Sequence, residues 1–147
     1  MSAADRYFVD SNVLLDYVDR IDSRKQARAM EWLEVLWLAG AGCLSWQVLH
    51  EFYWNAVRKM RLEPDMTREI VEYLAHWKPV DITLGLVQQA WHWTDAAQLT
   101  YWDALILAAA QRAGARYLLS EDFQSNRRYD HVQVLSPFDH SPSEFGL

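Results

Sequence analysis

Four carboxylates are spaced along this 147-residue chain so that each falls where a strand ends or a helix begins. Asp10 closes the run Tyr7-Phe8-Val9 and is followed by a hydroxyl and an amide, Ser11 and Asn12. In a strand-then-helix unit, the residue leaving the strand's carboxyl end points into the crevice where α/β sheets place their ligands. Asp122 leaves Tyr117-Leu118-Leu119-Ser120 in the same manner, with Glu121 beside it as a rival. Asp103 stands three residues after Thr100, at the head of the apolar run Ala104 to Ala113. Glu51 comes early in a helical stretch that follows Cys43-Leu44.

Each acid also has an ordinary role open to it. Asp10 can cap a helix starting near Val13, Asp103 can complete a capping box with Thr100, and Asp122 fits an acidic turn. By periodicity alone Glu51 lies off the Val48, Phe52, Ala56 stripe, beside Gln47, Asn55 and Arg58, which makes it a surface residue. Together, however, the four describe a carboxylate cluster at one sheet edge. Two carboxylates ~4 Å apart repel by roughly 4 kcal/mol at an effective dielectric of 20. Such a cluster takes up protons or binds a cation. Oxygen donors without accompanying Cys or His favour magnesium or manganese. His50 precedes Glu51 but no HExxH follows, and the other histidines show no ligand spacing, so zinc is not expected.

The positioning elements can be read from the apolar pattern. Val13, Leu14, Tyr17, Val18 and Ile21 mark a first helix, and Ser23 caps a second carrying Ala27, Met30, Leu33 and Trp37 up to Gly40. Cys43-Leu44 is a short buried strand, and Ser45 caps a third helix from Trp46 to about Met60. Pro64 opens a fourth with Ile70, Val71, Leu74 and Trp77, closed by Pro79, and Val80-Asp81-Ile82 is a brief strand. Thr83 starts a helix through Leu84, Val87, Ala90, Trp91 and Thr94. Trp91 and Trp93 cannot share a face; Trp91 is assigned to the core and Trp93 to a partly exposed position. The run Ala104 to Ala113 is apolar nearly all round and therefore a buried helix, ended by Gly114. Tyr117 to Ser120 and Val132 to Leu135 are strands, and from Pro137 the chain reads as a loose tail. Strands separated by helices, with short continuous apolar runs, specify an α/β fold on a mainly parallel sheet.

Composition narrows the classes. The length suits one domain over 1–147, with a core from about 6 to 138. Half the residues are hydrophobic, which excludes a disordered chain. The most apolar segment, Ala104 to Ala110, is far shorter than the ~20 residues of a membrane span. No leader pattern is visible at the start. The single cysteine, Cys43, fits a reducing compartment, so a cytoplasmic protein is expected. A net charge of −6 is not the footprint of a nucleic-acid binder. Acid concentrated in a metal site, or basic clusters such as Arg58-Lys59-Arg61 and Arg127-Arg128, would reconcile the two.

The chain resembles a PIN-domain ribonuclease, of the VapC kind found in toxin–antitoxin pairs. The likeness runs from Tyr7 to about Phe138 through Phe8-Val9-Asp10-Ser11-Asn12-Val13-Leu14, Leu49-His50-Glu51-Phe52, Tyr101-Trp102-Asp103-Ala104-Leu105-Ile106 and Leu118-Leu119-Ser120-Glu121-Asp122-Phe123. It implies a three-layer fold and a magnesium-dependent endoribonuclease, with manganese as a substitute. The resemblance carries over an acidic quartet, Asp10, Glu51, Asp103 and Asp122, with Asp10 and Asp103 as direct metal ligands. It also implies a homodimer and a small antitoxin partner, and turns Glu51 into the site against its periodicity. Ser11 and Ser120 stand where the family more often has threonine, and both keep the hydroxyl.

Two other classes are consistent with parts of the pattern. An inactive PIN-like binding module would keep the crevice but not the chemistry. A phosphoryl-transfer protein with Asp10 as nucleophile would, in the haloacid-dehalogenase pattern, want a second aspartate where this chain has Asn12.

Overall fold

A computed structural model of the chain describes residues 4–147; the first three residues of the expected domain lie outside the described ones. Strands β1 (Tyr7–Val9), β2 (Gly42–Cys43), β3 (Tyr117–Leu119), β4 (Arg128–Tyr129) and β5 (Val132–Leu135) form one sheet in the order β2-β1-β3-β5-β4. β2, β1, β3 and β5 run parallel, and β4 returns antiparallel beside β5. Phe8 pairs with Cys43 on one side and Leu118 on the other, and Leu118 in turn pairs with Val134. All four are buried, as central strands of an α/β sheet covered on both faces must be.

Six helices, α1 (Ser11–Val18), α2 (Ser23–Ala39), α3 (Trp46–Arg58), α4 (Pro64–Leu74), α5 (Leu84–Ala97) and α6 (Tyr101–Arg112), flank the sheet in a three-layer α/β arrangement. Ala104 to Ala110 are all buried, so α6 is the interior helix its composition specifies. From β1 the chain crosses first to β2 and only later, through α3 to α6, to β3 on the other side of β1. That reversal is the topological switch point, where the carboxyl ends of neighbouring strands leave a crevice. No helix among the described residues is long and apolar enough to cross a membrane.

Several local expectations need correction. The first helix ends at Val18, and Ile21 is 96% exposed beyond it. Asp22, not Ser23, caps α2, accepting from the Lys25 N–H. The core stripe of α2 is Ala29, Trp32, Leu33 and Leu36; Met30 and Trp37 belong to a second apolar face. Val80-Asp81-Ile82 is not a strand; Val80 alone makes a single parallel bridge, to Ser45. In α5 the core phase is Leu86, Ala90, Trp93, so Trp93 is buried and Trp91 is 52% exposed, the reverse of expectation. The Trp93 indole N–H donates to Gln111 of α6, which fixes that phase. The tail is not loose either. Its 3₁₀ turn Pro142–Phe145 carries Phe145 onto Tyr7, Trp32 and Tyr117, and the Trp32 indole N–H is shared by the Pro137 and His140 carbonyls.

Candidate active site

Asp10 leaves β1 at the switch point and is 2% exposed. It caps α1 through the Ser11 N–H, so the cap and the buried carboxylate are one residue. Its other oxygen accepts the Ser120 hydroxyl at 2.7 Å, reaching across to the end of the neighbouring strand β3. Ser120 is completely buried and also accepts from the Asp122 backbone N–H and the Asn12 amide. The Asn12 side-chain oxygen accepts from the Glu121 N–H, so α1 and the turn after β3 are tied at several points. Ser11 donates its hydroxyl to Glu51 at 2.8 Å, bringing α3 to the same edge. The second oxygen of Glu51 accepts from Gln47, whose amide also donates to the Trp102 carbonyl in the first turn of α6. Asp103, one residue on, has its N–H capped by the Thr100 hydroxyl. A cavity of about 330 Å³ opens over this edge, lined among others by Ser11, Asn12, Glu51, Lys59 and Asp122.

The PIN-domain family model matches residues 7–131. The chain belongs to the PIN-domain family. A search of curated proteins finds no match. Among solved structures, a toxin–antitoxin complex from Klebsiella pneumoniae is similar at 19% identity and a TM-score of 0.65, covering 92% of this chain and 98% of that one. The sarcin-ricin loop cleaving toxin VapC20 of Mycobacterium tuberculosis is similar at 19% identity and a TM-score of 0.57, covering 79% and 89%. VapBC2 from Rickettsia felis, bound to a DNA fragment from its promoter, is similar at 14% identity and a TM-score of 0.59, covering 87% and 96%. At such identities the likeness is one of fold.

In this PIN domain, burial pushes Asp10 up to about 7, against the pull of its Ser120 and Ser11 hydrogen bonds; Asp122 and Glu51 add to the rise. Asp103 is also raised, first by burial, then by the charges of Asp122 and Glu51. Asp10 and Asp103 are therefore each within electrostatic reach of Asp122 and Glu51. Among the described residues no three His, Cys, Asp or Glu side chains are drawn together into a ready-made metal grip. The donor set is nonetheless all hard oxygen, and its unbalanced negative charge is of the kind a divalent cation neutralises. The residues fit magnesium or manganese on that chemistry.

Glu121 faces elsewhere. It pairs with Lys25 at 2.7 Å and lies beside Asp16 of α1, whose carboxyl is pushed up to about 7 by burial and by Glu121. Glu51 is not the surface residue its periodicity suggests, because the polar side of α3 turns into the crevice and Gln47 is buried with it. Sequence reasoning did not single out Gln47 or Asn12 for the work they do. Gln47 sits four residues before Glu51, one helical turn away, and that spacing was the available signal.

Proposed function

We propose that this PIN domain is a magnesium-dependent endoribonuclease that acts as the toxin of a toxin–antitoxin pair. The observation that supports the reading is Asp10, buried at the β1/β3 switch point and hydrogen-bonded from two elements, with Glu51 tied to the same edge through Ser11. Asp10 and Asp103 are the proposed direct ligands, with Glu51 and Asp122 completing the site. Magnesium bound there would activate water for attack on a phosphodiester and stabilise the leaving oxygen. Ser120 and Ser11 hold Asp10 and Glu51 in orientation, and burial on β1 keeps bulk water from Asp10.

The partner side of the proposal draws on the structural relatives, of which one is a toxin–antitoxin complex and another is VapBC2. An antitoxin segment would occupy the apolar groove of about 500 Å³ between α1, α2 and α4, lined by Leu14, Met30, Trp37, Ile70, Tyr73 and Trp77. The protein is proposed to act as a homodimer on cytoplasmic RNA.

The test is cleavage of total cellular RNA by purified protein with magnesium, with manganese and with chelator. Metal-dependent fragments that disappear in Asp10→Asn and Asp103→Asn, with circular dichroism unchanged, are the expected result. Retained cleavage in both variants would sink the site assignment. A folded, antitoxin-free protein that leaves all RNA intact would point to the binding module instead.

A further inference from the structure

We propose that Trp102 is a stacking platform that seats an unpaired RNA base beside the carboxylate edge. The inference rests on the ribonuclease reading and adds to it a residue that holds the substrate. Trp102 precedes Asp103 in the first turn of α6 and is 63% exposed, although the helix behind it is buried from Ala104 to Ala110. What sets this ring apart from other exposed apolar side chains is its place directly before Asp103.

Its backbone is fixed from beneath. The Trp102 carbonyl accepts from Gln47 Nε2 at 3.2 Å, and the same amide donates to Glu51 at 2.9 Å. Gln47 is 6% exposed, so one buried amide sets Trp102, and with it Asp103, in register with Glu51. The Tyr101 ring meets the indole edge-on at 5.3 Å, restricting it without covering it. The backbone that carries the indole is thus held on a rigid element by a buried partner, and the ring projects from a fixed point. One turn along α3 from Glu51, Trp54 is 60% exposed with the Arg58 guanidinium 5.0 Å from its ring, which sets a cation and a second aromatic along the same helix.

Stacking suits this protein because its charge is −6 and cannot attract phosphates broadly. Every base has a π-face, so a tryptophan platform tolerates sequence but requires the base to be unpaired.

The experiment uses the full chain carrying Asp10→Asn, with a fluorescein-labelled decauridine as the probe and anisotropy as the readout. Adding Trp102→Ala is expected to weaken binding about five- to a hundredfold, the range for one stacked base. Trp102→Leu, which keeps apolar bulk without a π-face, should lose as much, and Trp102→Phe should lose little. An abasic decamer should bind all four proteins alike, and the Trp102 effect should persist at high salt. Equal decauridine affinity for the Ala and Leu variants and their parent overturns the platform and leaves the nuclease standing. So does a change in sedimentation on Trp102→Ala, which would place the indole between two copies of the chain. A parent that binds neither oligomer overturns the platform, and the ribonuclease reading falls with it if wild type also leaves total RNA intact.

Discussion

Two concave surfaces of this PIN domain are built on opposite terms. The larger, about 500 Å³, is walled by aromatic and aliphatic side chains, with Trp37 stacked on Tyr73 at 3.9 Å and on Trp77 at 5.8 Å. The smaller, about 330 Å³, is a polar crevice lined by Glu51 and Asp122 with Ser11, Asn12, Asn55 and Lys59, and Asp10 is buried at its edge. Size does not locate the chemistry. The groove offers area to whatever covers it, while the crevice concentrates charge the fold would otherwise avoid. One surface is suited to a partner and the other to a reaction, and the two can be broken separately.

The sharpest way to separate them is pH. Asp10 titrates near 7 in the folded chain and near 4 when unfolded, so between those values the folded state holds more protons. Stability of the metal-free protein should therefore fall as pH rises from 5 to 8, with Asp16 contributing in the same window. Asp10→Asn should remove Asp10's share, about 4 kcal/mol as an upper bound from a shift of roughly three units. Urea melts at pH 5 and pH 8 with chelator measure it; a wild-type protein equally stable at both would refute the burial that raises Asp10. Added magnesium should restore wild type at pH 8 and leave Asp10→Asn unmoved.

Next in size is Ser120→Ala. It removes the hydroxyl shared by Asp10, Asn12 and the Asp122 N–H, and should lower metal affinity or cleavage about ten- to a hundredfold. Ser120→Thr should recover most of it. Isothermal titration with manganese gives a readout independent of turnover.

Two changes probe the groove side. A Cβ on Gly42 would lie 2.3 Å from the Trp77 ring, so Gly42→Ala should destabilise the fold by about 1 to 3 kcal/mol. The crevice should be unaffected, read as unchanged cleavage per folded molecule. The smallest effect is Tyr73→Ala, which loses one aromatic stack worth about 1 kcal/mol. It should leave cleavage by the free protein intact while weakening neutralisation by antitoxin. Loss of cleavage there would mean that groove and crevice are one site.

The sheet and its acidic ends were legible because continuous apolar runs such as Phe8-Val9 and Leu118-Leu119 have one physical solution, a buried parallel strand, and the next residue then sits at the strand's mouth. Glu51 was illegible by periodicity, since a helix beside a polar crevice buries part of its polar side. The Trp91 and Trp93 assignment failed because two apolar residues two apart give a helix no phase; Gln111, eighteen residues on, supplies it. Phe145 lay beyond local reasoning altogether, its partners Tyr7, Trp32 and Tyr117 being distant in sequence.

Because Asp10 and Ser120 extend two neighbouring central strands, their own amides belong to the sheet ladder, Asp10 N–H to Leu119 and Ser120 N–H to Leu135. The floor of the crevice therefore has no small opening motion of its own. The Asp10 and Ser120 amides should exchange hydrogen only with the slowest, global event, and heat should end that floor and the fold at one temperature. A molecule that silences such a crevice gains little by trying to bend it; it has to stand in the doorway.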